Sequence, residues 1–224
     1  MKNICIIPAR GGSKRIPRKN IKLFLGKPII AYSIESAIKS NLFEKVIVST
    51  DDNEIAEISK EFGAEVPFLR SISNADDHAT LNDVLVEVKT QLKGQGEYFD
   101  NYCVLLPTAP LISAELLKSG FDFLIRSKFD SIRPIVRFNY PIQRAQTLKD
   151  GRVSFMYQEF ANTRSQDLEP AFHDAGMFYF VRELAPLSSG KKGGFEIEAK
   201  FAQDIDTLED WEMAEIKFQI INKK

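Results

Sequence analysis

Two hydrophobic patterns alternate along the first half of this 224-residue chain. In one, short runs rich in isoleucine and valine continue without polar interruption, which predicts strands buried on both faces. In the other, apolar residues recur at the spacing of a helix face. The first pattern covers 3–8, 45–50 and 102–108, and the second covers 28–40, 51–63, 81–92 and 114–128. The alternation predicts an α/β fold with a Rossmann-like, mainly parallel sheet and right-handed crossovers.

The second half of the chain continues with short apolar runs and ends in a helical pattern. The runs are 130–136, 176–181 and 196–202, and the helical pattern covers 207–221. That last segment begins T-L-E-D, a capping-box sequence in which the first and fourth side chains satisfy each other's backbone amides. The sequence therefore predicts a C-terminal helix with a defined start.

One segment, 138–172, breaks this rhythm. It carries the hairpin signal LKDGRV among aromatic and polar residues that lack a helical period. We therefore predict a single domain over 1–224 with an excursion at 138–172. We expect this excursion to pair with a second subunit in a homodimer.

Composition and charge exclude several classes of protein. The 30 basic residues nearly balance the 31 acidic ones, which argues against general binding to nucleic acid or to a membrane surface. Cys5 and Cys103 lie inside apolar runs without metal or disulfide spacing, which is typical of buried thiols in a reducing compartment. The sequence shows no signal-peptide pattern and no apolar stretch of the roughly 20 residues that span a bilayer. We expect a cytoplasmic protein.

The stretch IIPARGGSKRIPRKN, residues 6–20, concentrates positive charge just after the first predicted strand. Ligands of open parallel sheets bind at the carboxyl ends of the strands, and the first strand-to-helix connection is a common phosphate site. Gly11 and Gly12 would let backbone amides approach an anion. The cations placed to neutralise phosphate charge are Arg10, Lys14 and Lys19. A solvated basic loop is the alternative, but the glycines and the position favour a phosphate-binding loop.

A pair of aspartates lies near the end of the chain. Asp204 and Asp206 are two residues apart, so both carboxylates point to one side of an extended segment. Such hard oxygen ligands suit Mg²⁺, which takes few protein ligands beside phosphates and water. Alternatively, they complement the positive end of the helix that starts near Thr207. The spacing alone leaves both interpretations open.

The motif PARGGSKRIPRKN, residues 8–20, resembles the signature P-A-R-x-x-S-K-x-(I/L)-P-x-K-N of the acylneuraminate cytidylyltransferases. The chain length and the order of elements also agree, so the resemblance covers essentially the whole chain. It implies a fold of the nucleotide-diphospho-sugar transferase type. It also implies an enzyme that condenses CTP with a nonulosonic acid to give a CMP-sugar and pyrophosphate. The resemblance implies that this loop binds the triphosphate of CTP and that Asp204 and Asp206 hold Mg²⁺.

The resemblance also assigns the nucleotide site. Lys19 and Arg10 would be catalytic, with Lys19 stabilising charge on the α-phosphoryl group. Arg15 and Arg18 fall at variable positions, where a solvated surface residue is an equally good interpretation. Thr80 forms a second capping box with Asp83, and both roles can hold. The nucleotide-binding residues implied are Ala9, Arg10, Gly11, Gly12, Ser13, Lys14, Lys19, Asn20, Arg70, Ala79 and Thr80. The neighbouring His78 is expected to be a structural or surface residue.

A turn motif raises the question of which sugar is used. LLPTAPL, residues 105–111, matches the family's L-x-P-T-S-P-L, which lies beside the sugar. Leu106 stands where the sialic acid synthetases of the family typically carry Gln. An apolar side chain there better suits a deoxygenated, methyl-terminated sugar than N-acetylneuraminate.

Three further motifs resemble the subgroup of this family that activates pseudaminic acid, a diamino, tetradeoxy nonulosonic acid of bacterial flagellins and capsules. They are YPIQRA at 140–145, TRSQDL at 163–168 and HDAGMFY at 173–179. Each alone is more typical of polar loop residues near a hairpin and a strand. Arg144 and Arg164 would pair with the sugar carboxylate through the guanidinium fork. The candidates for acetamido and hydroxyl contacts are Gln143, Gln166, His173 and Asp174.

Two alternatives stay open. One is the same reaction on N-acetylneuraminate or legionaminate. The other is a non-catalytic nucleotide-binding protein of the same fold, although Lys19, Asp204 and Asp206 together exceed what simple binding requires.

Overall fold

The computed structural model describes residues 1–74, 79–187 and 190–223. The strands in this part of the chain are β1 (Asn3–Pro8), β2 (Leu23–Phe24), β3 (Lys27–Pro28), β4 (Lys45–Ser49), β5 (Asn101–Leu105), β6 (Ser131–Arg137), β7 (Gln146–Lys149), β8 (Arg152–Phe155), β9 (Phe172–Asp174), β10 (Phe178–Arg182) and β11 (Lys192–Glu196). The α-helices are α1 (Ile29–Ser40), α2 (Asn53–Glu61), α3 (Leu81–Gly94), α4 (Ala114–Arg126) and α5 (Leu208–Asn222). No α-helix of the described residues is long and apolar enough to span a bilayer.

The central sheet has the strand order β11-β6-β10-β5-β1-β4, with β9 paired to β6. β1 lies between β5 and β4 and is parallel to both, and β6 is parallel to β11. β10 runs antiparallel between β5 and β6, and β9 is antiparallel to β6. The predicted α/β fold with a mainly parallel sheet is therefore confirmed. The reversed strands could not be anticipated, because an uninterrupted apolar run does not reveal strand direction.

Helices cover both faces of this sheet, which explains the uninterrupted apolar runs. In β1, Cys5 and Ile7 pack in a core cluster with residues of α1 and α4. Ile4 and Ile6 point to the other face and pack with residues of α3. A strand covered on both faces buries every side chain, so polar positions disappear from its sequence.

The helix beginnings follow the predicted capping boxes. Thr207 Oγ1 accepts a hydrogen bond from Asp210 N at 3.2 Å, and Asp210 Oδ2 accepts one from Thr207 N at 2.8 Å. Thr80 and Asp83 form the same arrangement at the start of α3. Both predictions are confirmed.

The apolar run 196–202 contributes only its first residue to a strand. β11 lies earlier, at Lys192–Glu196, and residues 199–201 form a 3-10 turn. The strand begins K-G-G-F, and a Cβ on Gly193 would lie 2.3 Å from Phe129 Cδ2. The phenylalanine ring fills the space that a strand side chain would occupy, so the sequence pattern of a buried strand is lost there.

The excursion leaves the sheet at the end of β6 and returns as β9. Its hairpin β7–β8 turns at Asp150 and Gly151, whose φ angles are 50° and 75°. Two consecutive positive φ values are those of the type I′ turn that the D-G signal predicts.

Candidate functional site

A cavity of about 520 Å³ opens at the carboxyl ends of β1 and β5, beneath the basic loop. The loop leaves β1 where that strand is paired with β4, and Ala9 N donates to Ser49 O at 2.9 Å. Eight of the eleven predicted nucleotide-binding residues line this cavity. They are Arg10, Ser13, Lys14, Lys19, Asn20, Arg70, Ala79 and Thr80. The structure thus brings together residues from three separate stretches of sequence.

The other three predicted residues lie beside the cavity. Ala9 is fully buried and its side chain belongs to the hydrophobic core. Gly11 turns away toward the segment after β4, where its amide donates to Asp51 Oδ1 at 2.9 Å. Gly12 is exposed. Any contact of Ala9 with a nucleoside would therefore have to come from its backbone.

Lys19 lies between the basic loop and the aspartate pair. Its Nζ donates to the carbonyl of Ile205 at 2.6 Å and lies 3.7 Å from Asp206 Oδ1. Burial lowers the pKa of Lys19, while the charges of Asp206 and Asp204 partly offset this effect. The ammonium group is thus held at the wall of the cavity by the segment that carries both aspartates.

Asn20 and Arg70 are the buried polar side chains of the cavity wall. Asn20 Nδ2 donates to the carbonyl of Arg10 at 2.9 Å and so braces the loop across its base. Arg70 Nε donates to Ser49 Oγ at 3.1 Å, and its guanidinium also donates to the carbonyl of Ser49. Burial lowers the pKa of Arg70, and Asp51 and Glu87 act against this at longer range. Because the hydrogen-bond partner of this cation is a neutral residue, the positive charge can pair with an electronegative ligand.

The start of α3 forms the side of the cavity opposite the basic loop. Thr80 is the N-cap of α3, and it lines the cavity together with Ala79. The two interpretations of Thr80, helix cap and ligand contact, are therefore compatible. His78 lies outside the described residues.

The aspartate pair fits a divalent cation. Asp204 and Asp206 flank Ile205, which is fully buried. Desolvation raises the pKa of Asp204, and the negative charge of Asp206 adds to this rise. A cation would relieve this repulsion. Within the described residues no group of three or more His, Cys, Asp or Glu side chains could hold a metal, so phosphate oxygens and water would complete the shell, as is usual for Mg²⁺.

The alternative role of these aspartates, complementing the start of α5, is filled by another residue. Asp210 accepts hydrogen bonds from the amides of Asp206 and Thr207, at 3.1 and 2.8 Å. Asp206 instead faces the basic loop, where Arg15 Nη2 lies 2.8 Å from its Oδ1. Arg15, which the sequence left undecided, therefore joins the wall of the cavity.

A second cavity, of about 480 Å³, includes Asp204, His173 and Asp174. The segment 137–139 forms part of its wall and also part of a third cavity, of about 450 Å³, that includes Gln166. These two cavities form the side of the site toward the excursion. His173, Asp174 and Gln166 are thus the predicted sugar-binding residues that line a cavity on this side.

Both carboxylate oxygens of Asp174 already accept hydrogen bonds within the chain. Its Oδ2 accepts from Arg133 Nη1 at 2.9 Å, and its Oδ1 accepts from the amide of Gly176 at 2.9 Å. A Cβ on Gly176 would lie 3.4 Å from Asp204 Cγ, so this turn packs directly against the first aspartate of the pair. Asp174 therefore braces the turn beside Asp204, and a sugar group would meet carboxylate oxygens that each already accept one hydrogen bond.

The remaining sugar-binding candidates lie away from these cavities in the described part of the chain. Leu106 packs against the core cluster of β1. Arg164 pairs with Asp167 on the surface, and Arg144 Nη1 donates to Ser165 Oγ at 3.4 Å. Gln143 Nε2 donates to the carbonyl of Glu169 at 2.8 Å. A single chain does not bring Arg144 and Arg164 to the aspartate pair.

Several cavity residues were missed by the sequence analysis. Thr108 lies in the first cavity, and Arg137, Asn139 and Lys217 lie in the second. Thr108 belongs to the turn after β5, and Arg137 ends β6. The rule that ligands gather at the carboxyl ends of strands could have indicated both.

Comparisons with known proteins identify the family and the fold. A family profile described as cytidylyltransferase matches residues 4–221. The chain is 42% identical over 226 residues to a pseudaminic acid cytidylyltransferase of Campylobacter jejuni, covering 98% of this chain and 97% of that protein. It is 34% identical to a Helicobacter pylori protein named pseudaminic acid cytidylyltransferase and UDP-2,4-diacetamido-2,4,6-trideoxy-beta-L-altropyranose hydrolase, covering all of this chain and 44% of that protein.

Among solved structures, the fold is similar to that of a CMP:2-keto-3-deoxy-manno-octonic acid synthetase complexed with CTP. The TM-score is 0.73 at 18% identity, and the match covers 99% of this chain and all of that one. At this identity the likeness supports the fold alone. The near-complete profile match and the full-length relatives show that the chain belongs to the cytidylyltransferase family.

Proposed function

We propose that this protein transfers the cytidylyl group of CTP to pseudaminic acid, giving the CMP-sugar and pyrophosphate. The observation that carries the proposal is the position of Lys19, at the wall of the basic cavity and 3.7 Å from Asp206. A phosphate-binding loop and a carboxylate pair meet at this one side chain. The names of the full-length relatives supply the sugar.

In the proposed reaction, the anomeric hydroxyl of the sugar attacks the α-phosphorus of CTP. The new bond joins the sugar oxygen to phosphorus, the bond between the α- and β-phosphoryl groups breaks, and pyrophosphate leaves with that electron pair. Arg10 and Lys14 would bind the triphosphate, and Lys19 would stabilise charge on the α-phosphoryl oxygens. Asp204 and Asp206 would hold Mg²⁺, which supplies charge neutralisation at the phosphate oxygens when bound. The proton of the hydroxyl passes to solvent or to a base outside this set.

The test is pyrophosphate release from CTP and Mg²⁺ with four acids: pseudaminate, N-acetylneuraminate, legionaminate and 3-deoxy-manno-octulosonate. Strong turnover with pseudaminate alone is the expected result. Turnover on another of these acids would keep the reaction and replace the sugar. Bound CTP without turnover on any of them would favour the non-catalytic alternative.

We also infer that the working form is a homodimer that pairs through the excursion. Among its apolar side chains that are exposed in the single chain are Leu148, Val153, Met156 and Tyr157. In addition, Gln143 Oε1 and Arg144 Nε are buried without a hydrogen-bond partner among the described residues. Both observations indicate a surface that is incomplete in one chain.

Sedimentation of a Leu148→Asp variant tests this pairing, with Leu184→Asp as the control. Leu148 is 74% exposed on the hairpin, and Leu184 is 96% exposed outside the excursion. We expect the Leu148 variant to dissociate at concentrations where the control stays dimeric. A monomeric parent protein would contradict the inference. Because the two cysteines are buried and free, we place this dimer in the reducing cytoplasm.

A further inference from the structure

The beginning of the basic loop is hydrogen-bonded to the turn that follows β4, the strand beside β1. This turn consists of Asp51 and Asp52, directly before α2, and it lies beside the loop because β1 and β4 are parallel neighbours. The amide of Gly11 donates to Asp51 Oδ1 at 2.9 Å. A Cβ on Gly11 would lie 2.7 Å from Asp52 Oδ2, so only glycine allows this approach without rearrangement.

The end of the loop is fastened to the same turn by Arg18. Its guanidinium donates to both carboxylate oxygens of Asp52, with Nη2 lying 3.0 Å from Oδ1, and it also donates to Glu54. These hydrogen bonds raise the pKa of Arg18 and lower that of Asp52. The Arg18 side chain is 39% exposed, and its guanidinium is engaged by two carboxylates, so Arg18 is not the unengaged surface residue that the sequence left open.

Asp52 is itself held in place by the backbone. Its Oδ1 accepts from the amide of Ile55 at 3.0 Å and so caps α2, and its own amide donates to Thr50 Oγ1 at 3.1 Å. A carboxylate fixed by a helix end is a firm anchor, unlike one on a mobile surface side chain. The planar fork of an arginine is the group that can bind both oxygens of such an anchor at once.

Arg18 also turns the chain toward the cavity. Its φ and ψ are 54° and 31°, the left-handed region that side chains other than glycine rarely adopt and that persists where surrounding contacts impose it. Its carbonyl accepts from the amides of Ile21 and Lys22, both at 3.0 Å, and this turn places Lys19 against Ile205. The residue directly before Lys19 thus sets the direction in which Lys19 points.

We propose that Arg18 is a positioning residue: its ion pair with Asp52 holds the basic loop closed over the phosphate cavity and holds Lys19 toward the aspartate pair. This proposal rests on the proposed function. It predicts that a protein without the ion pair keeps its fold but spends less time with the loop in the shape that binds a triphosphate. The apparent affinity for nucleotide then falls with the fraction of competent molecules.

The deciding variants separate the side chain from the backbone. Arg18→Gly removes the guanidinium and accepts the left-handed conformation at no steric cost. Asp52→Asn removes the charge and still caps α2, because asparagine is as good an N-cap as aspartate. Arg18→Lys keeps a charge but loses the fork. Lys45→Gln is the matched control, since it breaks a pair of similar burial with Glu97 at the opposite end of β4.

The first readout is calorimetric binding of CTP with Mg²⁺ and no sugar. We expect Arg18→Gly and Asp52→Asn each to bind roughly tenfold more weakly, which corresponds to a competent fraction of about one-tenth. The double variant should lose little more than either single one, because both remove the same contact. Lys45→Gln should bind as the parent chain does. Full affinity in both single variants, or additive losses in the double variant, would overturn the proposal.

The second readout is trypsin cleavage after Lys14 and Arg15 without nucleotide, which reports loop opening whether or not CTP is the ligand. We expect cleavage at these sites to be faster in Arg18→Gly than in the parent and control chains, at an unchanged melting temperature. If the parent chain failed to bind CTP, the proposed function would fail and cleavage alone would decide on the ion pair. Equal cleavage rates in the Arg18 variants and the parent would show that the loop needs no ion pair.

Discussion

The nucleotide side of the molecule is the first cavity with the basic loop above it. It differs from the excursion at 138–172 in how fully its side chains find partners within one chain. On the nucleotide side, the basic loop, the Asp51–Asp52 turn and the aspartate pair hold one another through hydrogen bonds of defined length. In the excursion, apolar side chains such as Leu148 and Val153 are exposed, and Arg144 keeps a buried nitrogen without a partner in the described residues. The contrast indicates that the first region is preorganised within one chain, and it supports the proposed pairing of the second region with a partner chain.

The largest effect should come from Lys19→Ala, which changes a residue of the nucleotide side. Removing the ammonium group takes away charge stabilisation at the phosphoryl group, and we expect turnover to fall by about a thousandfold. Lys22→Ala is the matched control, because Lys22 is a nearby exposed cation that lies over the ring of Trp211. Steady-state pyrophosphate release compares the two. Turnover within about twofold of the parent in Lys19→Ala would remove this residue from the mechanism.

The next effect concerns the metal. Asp206→Asn should lower turnover by roughly a hundredfold and raise the Mg²⁺ concentration needed for half-maximal rate, because a carboxylate ligand becomes a neutral amide. Asp210→Asn serves as control, since Asp210 caps α5 and its loss should cost about 1 kcal/mol of stability. A magnesium titration of both variants measures the difference. An unchanged magnesium requirement in Asp206→Asn would refute the metal assignment.

A mixing experiment addresses the contrast itself. If the partner chain supplies Arg144, a Lys19→Ala chain and an Arg144→Ala chain that are each inactive alone will share one intact site in a mixed dimer. Random pairing then restores about a quarter of the parent activity, because half of the dimers are mixed and each has one of two sites intact. Activity that stays at the level of the single variants would place Arg144 in its own chain's site, whereas an Arg144→Ala chain that is active alone would place Arg144 outside the site.

Much of the nucleotide side could be predicted because its signal is local in sequence. The loop motif, the two capping boxes and the first strand all depend on residues within a few positions of one another, and β1 has the predicted bounds. Arg18 shows the limit of such signals. Its partner Asp52 is 34 positions away, and no spacing rule connects a loop cation with the cap of a helix after the neighbouring strand.

The side toward the excursion was harder to predict for a different physical reason. Asp174 is predicted to contact a sugar, and its two oxygens also accept hydrogen bonds from Arg133 and Gly176, contacts that exist because β9 returns antiparallel to β6. The direction of β10 and the glycine-rich start of β11 were likewise set by tertiary packing. Sequence motifs indicated polar residues there and could not indicate which partners they would meet.

The smallest effect is expected at Leu106, where sequence and structure point to different outcomes. The motif comparison places this side chain beside the sugar, whereas the structure packs it against the core, with its amide donating to Met177 O and its carbonyl accepting from Ser33 Oγ, both at 2.8 Å. A partly buried side chain that packs against the core has little surface left to contact a sugar. We therefore expect Leu106→Gln to lower stability by about 1 kcal/mol. We expect the ratio of kcat/KM for pseudaminate and N-acetylneuraminate to change by less than about threefold. Competition between the two acids for CTP measures that ratio, and a change of tenfold or more would show that residue 106 faces the sugar in the working enzyme.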